Sequence, residues 1–312
     1  MKYLITGVAG FIGSHLAETL IERGDEVRGL DDFSTGHRHN IAAFLDDMEF
    51  IEGDIRDLET CRRACKGVDY VLHQAALGSV PRSVDDPIAT HEVNATGTLN
   101  MLVAARDADV DAFVFAASSS AYGDTDVLPK QEAMKKRPLS PYAVTKVACE
   151  NYLEVFSHVY GMNTVGLRYF NIFGPRQDPD GPYAAVIPKF IMLMLDGETP
   201  VIYGDGEQTR DFTYVANAVQ ANLLAVENAA SVSGEIFNVG CGDRISLNQL
   251  YAGLREHTGF DRDAEHGPER PGDVRDSLAD IERARTLLGY EPDLHISEGL
   301  SRTVDWFRDQ DE

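Results

Sequence analysis

The chain has 312 residues, 43% of them hydrophobic, which is enough for a sizeable core in one large domain or in a large and a small one. Its formal net charge of −23 argues against nucleic acid and anionic membranes as partners. No run of about 18 apolar residues is present, so no membrane span is predicted. The lack of a signal-peptide pattern and the small number of cysteines, four, predict a cytoplasmic protein with reduced thiols.

The acidic balance is accompanied by few lysines: seven of the 28 basic residues are lysine and 21 are arginine. Such a surface suits a protein kept soluble in very high salt, where charges are screened within a few ångströms. We therefore expect a halophilic source. The acidity is surface chemistry and carries no information about a reaction.

The first 23 residues combine a strand, a glycine-rich turn and a helix. Lys2–Thr6 is predicted to be a buried strand and Ser14–Arg23 an amphipathic helix, with glycines spaced G-x-x-G-x-x-G between them. In such a unit the first glycine makes the tight turn, the second lets backbone amides approach a pyrophosphate and the third lets the helix pack on the strand. The alternative is a glycine-rich turn in an ordinary α/β sheet. The predicted dinucleotide contacts in this loop are Gly7, Gly10, Phe11, Ile12 and Gly13.

The second predicted strand, Glu26–Leu30, ends in Asp31, 18 residues after Gly13. A carboxylate there can accept hydrogen bonds from both hydroxyls of an adenosine ribose, and it would repel a 2′-phosphate. The sequence therefore favours NAD over NADP, although the nearby Arg38 is a residue that could meet such a phosphate.

Two further predicted strands, Met48–Glu52 and Tyr70–His73, lead to turns suited to the same ligand. After the first, an acid would bond the adenine amine and an apolar residue would pack on the ring. The alternative for the acid is a helix N-cap, because Asp57 and Leu58 open the next helix. After the second, small residues would let the cofactor pass close to the backbone. The candidate contacts are Asp54, Ile55, Ala75 and Ala76.

A predicted helix over Asp86–Ala108 leads to a fifth strand, Ala112–Ala116, and then to three serines, Ser118–Ser120. Open α/β sheets bind ligands beyond the carboxyl ends of their strands, which is where these hydroxyls would lie. A serine run is equally typical of a polar loop. Its position before a Tyr-x-x-x-Lys pair favours chemistry.

That pair is Tyr142 and Lys146, at the start of a predicted helix over Tyr142–Tyr160. Residues four apart lie on one face of a helix, and a cation beside a phenol favours the phenolate, which can act as a base near neutral pH. Taken alone, the spacing more often marks an exposed helical pair. The motifs in the rest of the chain favour the catalytic interpretation.

These motifs resemble the extended short-chain dehydrogenase/reductases, and within them the nucleoside-diphosphate-sugar 4-epimerases. The resemblance implies an α/β fold with a Rossmann-type doubly wound parallel sheet and a smaller C-terminal α/β substrate domain. It also implies NAD as cofactor and a UDP-sugar as substrate. Two stretches, His73–Ser83 and Ala184–Lys189, resemble the branch that acts on UDP-N-acetylglucosamine and its uronic acid. Further matching segments are Arg168–Pro175, Gly204–Phe212 and Arg270–Asp273.

The resemblance also implies an NAD-binding domain mostly within residues 1–170 and a substrate domain mostly within 171–312, with the chain crossing between them. The last predicted strands are Asn163–Leu167, Val201–Tyr203 and Glu235–Val239. The last predicted helices are Ala185–Leu195, Val215–Asn228, Ser246–Thr258, Ile281–Leu288 and Ile296–Arg308.

For catalysis, the resemblance implies that Tyr142 removes the proton of a sugar 4-hydroxyl while the C4 hydride passes to NAD and returns to the other face of the 4-keto sugar. Lys146 would lower the pKa of the tyrosine and hydrogen-bond the nicotinamide ribose. Ser119 would hold the 4-oxygen and relay its proton, with Ser118 and Ser120 as neighbours able to substitute. No metal site is expected.

For the substrate, the resemblance implies that Arg210 and Arg270 bind the diphosphate, since a guanidinium fork suits phosphate oxygens. Surface salt bridges with Asp211 or Asp273 are the alternative. Tyr203 would stack on the nucleotide or else pack in the core. The other substrate contacts carried over from the matching segments are Asn171, Val186 and Asp273.

Ser277 occupies the position that in the family lines the side of the sugar 2-substituent. A bulky aromatic there restricts the site to plain hexoses, whereas serine leaves room for an N-acetyl group. Ser79 and Ser118 are candidates to bind that group. The prediction is interconversion of UDP-GlcNAc and UDP-GalNAc, with UDP-Glc and UDP-Gal as further substrates.

Several alternatives remain. A 4,6-dehydratase would need an Asp-Glu pair in the serine loop, and a UDP-glucuronate decarboxylase a glutamate there. A 4-epimerase of UDP-uronic acids needs only a carboxylate partner, such as Arg82 or Lys189. A nucleotide-binding regulatory module without catalysis is the non-enzyme alternative. The family usually forms homodimers by pairing two helices per subunit, here those predicted over Asp86–Ala108 and Tyr142–Tyr160.

Overall fold

The computed structural model describes residues 1–180, 184–269 and 274–310. The strands in this part of the chain are β1 (Lys2–Thr6), β2 (Glu26–Asp31), β3 (Glu49–Glu52), β4 (Tyr70–His73), β5 (Ala112–Ser118), β6 (Thr164–Tyr169), β7 (Ile172–Phe173), β8 (Val201–Tyr203), β9 (Thr209–Arg210), β10 (Thr213–Tyr214), β11 (Glu235–Val239), β12 (Ile245–Ser246) and β13 (Glu265–Gly267). The helices are α1 (Phe11–Glu22), α2 (Leu58–Cys65), α3 (Val80–Asp85), α4 (Pro87–His91), α5 (Thr98–Asp107), α6 (Pro141–Tyr160), α7 (Val186–Leu195), α8 (Val215–Asn228), α9 (Leu247–Thr258), α10 (Glu282–Leu288) and α11 (Ile296–Gln310).

Seven strands form one parallel sheet in the order β11-β6-β5-β4-β1-β2-β3. Its register places Thr6 beside Leu30 on one side and beside His73 on the other, and His73 beside Phe115. The turns that follow β1, β2, β4 and β5 therefore emerge at one edge of the sheet. This edge is where an open parallel sheet binds ligands.

Helices cover both faces of this sheet. On one face α1, α8 and α10 pack against strand residues such as Ile5 and Val165. On the other, α2, α5 and α6 pack Met101 and Leu153 against Phe113. Because both faces are covered, the central strands β1, β4 and β5 are buried almost throughout. The predicted doubly wound α/β sheet is confirmed.

A third apolar core joins α7, α9 and α11 to short strands and includes Phe190, Leu250 and Val304. The chain leaves the large sheet after β6, builds β7 to β10 and returns with α8 and β11. Of the last three helices, α9 and α11 complete the smaller layer, and α10 packs on the large sheet. Helix α9 begins with the predicted cap: Ser246 accepts the backbone N–H of Gln249, whose side chain bonds the backbone N–H of Ser246.

The single helix predicted over Asp86–Ala108 is interrupted. Between α4 and α5, residues Glu92–Gly97 form a wider π-helical turn. In that turn Asn94 accepts the backbone N–H of Leu77 at 2.8 Å and donates to the Thr145 hydroxyl at 3.2 Å, so the interruption links the loop after β4 to α6. The apolar pattern runs on through the turn, which is why periodicity did not reveal it. No helix of the described ranges has both the length and the apolar character needed to cross a bilayer.

Candidate active site

A cleft of about 880 Å³ runs along the carboxyl edge of the sheet. Its lining extends from the glycine turn after β1, past the serines after β5 and the first turn of α6, to Arg210 and Ser277. A smaller pocket of about 90 Å³ beside β2 and β3 shares Gly7 and Gly10 with the cleft. The strand register thus brings together residues that lie more than a hundred positions apart in the sequence.

The glycine turn has the close backbone packing that a dinucleotide site requires. Gly7 has φ +68°, a conformation that favours glycine, and its carbonyl accepts the Gly10 N–H at 3.1 Å. A Cβ added at Gly13 would lie only 2.1 Å from the Gly7 carbonyl oxygen, so α1 can pack this closely only with glycine there. Phe11 and Ile12 line the same part of the cleft. This cradle fits the pyrophosphate of NAD.

The smaller pocket is lined by the residues predicted to hold the adenosine half, namely Asp31, Asp54, Ile55, Ala75 and Ala76. Asp31 accepts the backbone N–H of Ala9 at 2.9 Å and of Phe33 at 2.8 Å, and its burial raises its carboxyl pKa. Asp54 is paired with Arg56 at 2.6 Å. The N-cap of α2 is Asp57, so the alternative role considered for Asp54 belongs to a different residue.

Two residues that buttress the glycine turn were not found from the sequence. Asn40 donates from its amide to the Ala9 carbonyl at 2.9 Å, and a Cβ at Gly36 would lie 2.8 Å from the Ala9 carbonyl carbon. Both come from the segment after β2, so they hold the cradle from outside the G-x-x-G-x-x-G motif. No sequence signal marks them except proximity to Asp31.

Helix α6 presents Tyr142 and Lys146 to the cleft one turn apart, as predicted. Ser140 caps the helix by accepting the Ala143 N–H at 3.2 Å, and Pro141 begins it. Lys146 is buried, donates to the Ala116 carbonyl at 2.6 Å and lies 5.8 Å from the centre of the Tyr142 ring. Burial lowers the pKa of its ammonium to about 8.

Ser118, the neighbour considered able to substitute for Ser119, is the serine that acts on the Tyr142 phenol. The role of Ser119 stays a prediction. Ser118 accepts hydrogen bonds from the hydroxyl and the backbone N–H of Ser120, at 2.9 and 3.2 Å. Strand β5 continues to Ser118, two residues beyond its predicted end, so Ser118 and not its neighbour sits at the strand terminus. Ser119 also lines the cleft.

The pKa of the Tyr142 phenol is raised, chiefly by burial, and the Ser118 hydrogen bond opposes this rise. This differs from the expectation that Lys146 lowers it. The reason is geometric: the ammonium of Lys146 donates to Ala116 on β5 and not to the phenol oxygen. In this state Tyr142 is therefore held as a neutral phenol.

At the far end of the cleft the structure brings together Asn171, Arg210 and Ser277. Asn171 donates to the Asp211 carbonyl at 3.1 Å and adopts a positive φ of 35°. The Arg210 guanidinium donates to the Thr209 carbonyl at 2.8 Å. The Ser277 N–H donates to the same Thr209 carbonyl at 3.1 Å. This bond ties Ser277, the predicted gate for the sugar 2-substituent, to the strand that carries Arg210.

Other predicted substrate contacts lie elsewhere. The Ser79 hydroxyl accepts the Arg82 N–H at 3.2 Å and caps α3. Val186 begins α7, and Tyr203 ends β8 with 36% of its surface exposed. None of these three is among the cleft-lining residues of the described chain. Arg270 and Asp273 lie outside the described residues.

Lys130 lines the cleft, although no motif of the sequence singles it out. It is 2% exposed, and its ammonium donates to the Thr125 carbonyl at 2.9 Å. Its backbone pairs with the segment 278–280, which begins directly after Ser277. This long-range pairing brings it to the site, and no local pattern could have revealed it.

Known proteins match this chain over its whole length. The sequence profile of the NAD dependent epimerase/dehydratase family matches residues 3–240. UDP-glucose 4-epimerase from Thermotoga maritima, crystallised with UDP-glucose, is 41% identical and has a TM-score of 0.94 over 100% of both chains. UDP-N-acetylglucosamine 4-epimerase from Methanobrevibacter ruminantium, in complex with UDP-N-acetylmuramic acid, is 40% identical, with a TM-score of 0.94 over 99% of this chain and 98% of that one. UDP-glucose 4-epimerase from Thermus thermophilus, in complex with NAD, is 38% identical, with a TM-score of 0.89 over 99% of each chain.

These matches confirm the resemblance drawn from the motifs, and NAD is the cofactor. The three structures are UDP-sugar 4-epimerases, and one of them is of the UDP-N-acetylglucosamine branch. The profile begins within β1 and ends just after β11, so it spans every strand of the large sheet. The chain belongs to the NAD dependent epimerase/dehydratase family.

Proposed function

We propose that this protein interconverts UDP-sugars that differ in configuration at C4, by transient oxidation at that carbon. The observation that carries the proposal is the meeting of Ser118, Tyr142 and Lys146 with the glycine turn in one cleft. It is supported by three UDP-sugar 4-epimerases whose structures superpose on nearly the whole chain. A larger NAD domain, mostly residues 1–170, and a sugar-nucleotide domain, mostly 171–312, remain part of the proposal.

Bound NAD would accept a hydride from the sugar C4 and return it. The chain's own residues handle the proton and the oxygen. Tyr142 takes the proton of the 4-hydroxyl, and Ser118, hydrogen-bonded to Tyr142, orients the 4-oxygen and relays its proton. The positive charge of Lys146 favours the phenolate once a ribose hydroxyl and the cofactor's charge are present. The role first expected of Ser119 thus passes to Ser118.

At the other end, Arg210 would bind the diphosphate, joined by Arg270, and Asn171 would bond the sugar nucleotide. Ser277 lines the cleft, and its small side chain would leave room for a sugar 2-substituent. We therefore propose UDP-GlcNAc and UDP-GalNAc as the preferred pair, with UDP-Glc and UDP-Gal also accepted. In support, the Methanobrevibacter relative is a UDP-N-acetylglucosamine 4-epimerase.

A second candidate is 4-epimerisation of a UDP-uronic acid. The observation that favours it is the Lys130 ammonium, a cation buried at the cleft beside the segment that carries Ser277. It would pair with a 6-carboxylate, a role first considered for Arg82 and Lys189. Those two residues lie on α3 and α7, and neither is among the cleft-lining residues that the structure describes.

We further propose a homodimer. The outward faces of α3, α4 and α6 expose large apolar side chains, and α6 alone exposes Val155 by 48% and Val159 by 61%. Ile88 on α4 is 71% exposed. The three helices pack against one another, and large apolar side chains exposed on neighbouring elements mark interaction sites.

A cytoplasmic location, supported by cysteines that form no disulfide, and a high-salt habitat, supported by the −23 charge, also remain proposals.

The test is incubation of the purified protein in molar KCl, without added cofactor, with UDP-GlcNAc, UDP-Glc and UDP-glucuronate in separate samples. The anomeric proton signals are followed by NMR. We expect UDP-GalNAc to appear fastest, which would support epimerisation, retained NAD and the open gate together. Conversion of UDP-Glc alone would contradict the role of Ser277, and conversion of UDP-glucuronate alone would establish the second candidate. No conversion of any of the three would contradict the proposed function.

A further inference from the structure

A buried ion pair lies next to the catalytic cluster, which consists of Ser118, Tyr142 and Lys146. Glu150 follows Lys146 by one turn of α6, and Arg168 stands on β6. The guanidinium holds both carboxylate oxygens, with Nε to Oε1 at 2.8 Å and one terminal nitrogen to Oε2 at 2.9 Å. Each residue is 1% exposed. Lys136 reaches the same carboxylate at 3.0 Å from a partly exposed position.

This pair is linked to both elements that carry the groups of the proposed proton transfer, namely α6 and the end of β5. Glu150 shares the face of α6 with Tyr142 and Lys146 because all three are spaced by four residues. Arg168 lies 4.6 Å from the centre of the Tyr122 ring, and Tyr122 ends the turn that begins directly after Ser118. The pair therefore connects the helix that carries the phenol to the turn that directly follows Ser118.

The charges around Lys146 are few. On α6 it faces Tyr142, Cys149 and Glu150, on β4 the neutral buried His73, and on β5 the carbonyl of Ala116. Burial lowers the pKa of the ammonium, while Cys149 and Glu150 raise it. The pKa of the Cys149 thiol is itself raised by burial, so this thiol is uncharged near neutral pH. Glu150 is thus the one full negative charge among the groups that face Lys146 in the described chain.

A buried ion pair seldom adds net stability, because removing two charges from water costs about as much as their attraction returns. We propose that Glu150 and Arg168 are positioning residues for catalysis. Glu150 keeps Lys146 charged, and Arg168 balances the charge of Glu150 and holds the turn Ser119–Tyr122 against α6. The inference rests on the proposed function, because it assigns the pair to the Tyr142 proton transfer.

The first test uses two single variants of opposite charge effect. Glu150→Gln removes a negative charge, so Lys146 and Tyr142 both lose their protons at lower pH, and the pH optimum of kcat should move towards acid by about one unit. Arg168→Met leaves Glu150 balanced by Lys136 alone, so the optimum should move towards alkali. KM should change little in either variant. Shifts in the same direction, or none, would overturn the inference.

The second test separates charge from folding. In Glu150→Leu/Arg168→Met the pair is replaced by apolar side chains, which buried sites often tolerate without loss of stability. We expect a Tm near that of the wild type, a kcat about tenfold lower and an acid shift smaller than that of Glu150→Gln. A double variant with wild-type kcat and pH optimum would overturn the inference.

Arg28→Met is the matched control. Arg28 is a buried arginine of β2 that pairs with Glu49 at 2.8 Å, away from α6. The Arg28→Met variant should have a lower Tm and an unchanged pH optimum of kcat. As a readout without turnover, phenolate ionisation is measured by ultraviolet titration of each protein against its Tyr142→Phe counterpart. If the wild type converts no sugar nucleotide, the proposed function fails, and this titration still decides whether the pair sets the charge state of Tyr142.

Discussion

The two ends of the cleft are built in different ways. The cofactor end consists of turns that follow adjacent parallel strands, and its contacts are largely backbone atoms held by glycine packing, as at Gly7 and Gly13. The sugar end is assembled from segments far apart in the sequence. There Asp211, fully buried, accepts backbone N–H groups from Cys241 at 2.8 Å and from Ala279 at 3.1 Å.

The difference shows what sets each specificity. At the cofactor end, strand register places the turns that line the site, so most of the site follows from the fold itself. At the sugar end, the buried Asp211 carboxylate holds together loops whose positions the large sheet does not determine. Burial raises the pKa of Asp211 to about 6, and its backbone hydrogen bonds oppose that rise.

The catalytic cluster lies between the two ends, so removing its base should leave both binding sites intact. Tyr142→Phe should lower kcat by about a thousandfold, because the proton of the 4-hydroxyl loses its acceptor. NAD content after gel filtration and the KM for the UDP-sugar should remain near wild type. Tyr70→Phe is the control and should leave kcat unchanged, because Tyr70 begins β4 at the edge of the sheet opposite to the cleft. An active Tyr142→Phe would contradict the assignment.

A change confined to the cofactor end is Gly13→Ala. Its Cβ would meet backbone atoms at 2.1 Å, so the variant should lose about 3 kcal/mol of unfolding free energy. It should also lose NAD on gel filtration. Gly253→Ala within α9 is the matched helical control, where the new Cβ would make an ordinary 3.4 Å contact with Leu300 and helix propensity would improve. Urea unfolding and the absorbance of released NAD measure both. Equal stability of the two variants would contradict the packing argument.

A change confined to the sugar end is Ser277→Tyr. The aromatic ring would fill the space proposed for the N-acetyl group, so kcat/KM for UDP-GlcNAc should fall by about a hundredfold while that for UDP-Glc is kept. The measurement is competition between the two substrates in one NMR sample. Full activity on UDP-GlcNAc would refute the gate, and loss of both activities would show that the ring blocks the whole cleft.

The smallest expected effect separates two adjacent serines. Ser118→Ala should lower kcat by about thirtyfold, since the Tyr142 phenol and the 4-oxygen lose a shared hydrogen-bond partner. Ser119→Ala should have a much weaker effect and serves as the control. Steady-state kinetics on the same substrate measures both. The reverse order would restore the assignment made from the sequence.

The same difference between the two ends of the cleft limits what could be predicted from the sequence. The G-x-x-G-x-x-G spacing, Asp31 and the Tyr142–Lys146 spacing are local patterns, and each lies in the cleft or the pocket beside it. The place of Ser118 at the end of β5 did not follow from the sequence, because β5 runs two residues further than its pattern indicates. Lys130 owes its place to long-range pairing with the segment 278–280, which no local pattern records.

The proposed mechanism requires that the hydrogen on C4 leaves and returns within one bound complex. The direct measurement uses a UDP-sugar deuterated at C4, incubated with the protein in ordinary water without added NAD. We expect the epimer to form with its deuterium still on C4, detected by NMR and mass spectrometry. An epimer that has exchanged its deuterium for solvent hydrogen would show proton removal from carbon and would rule out hydride transfer.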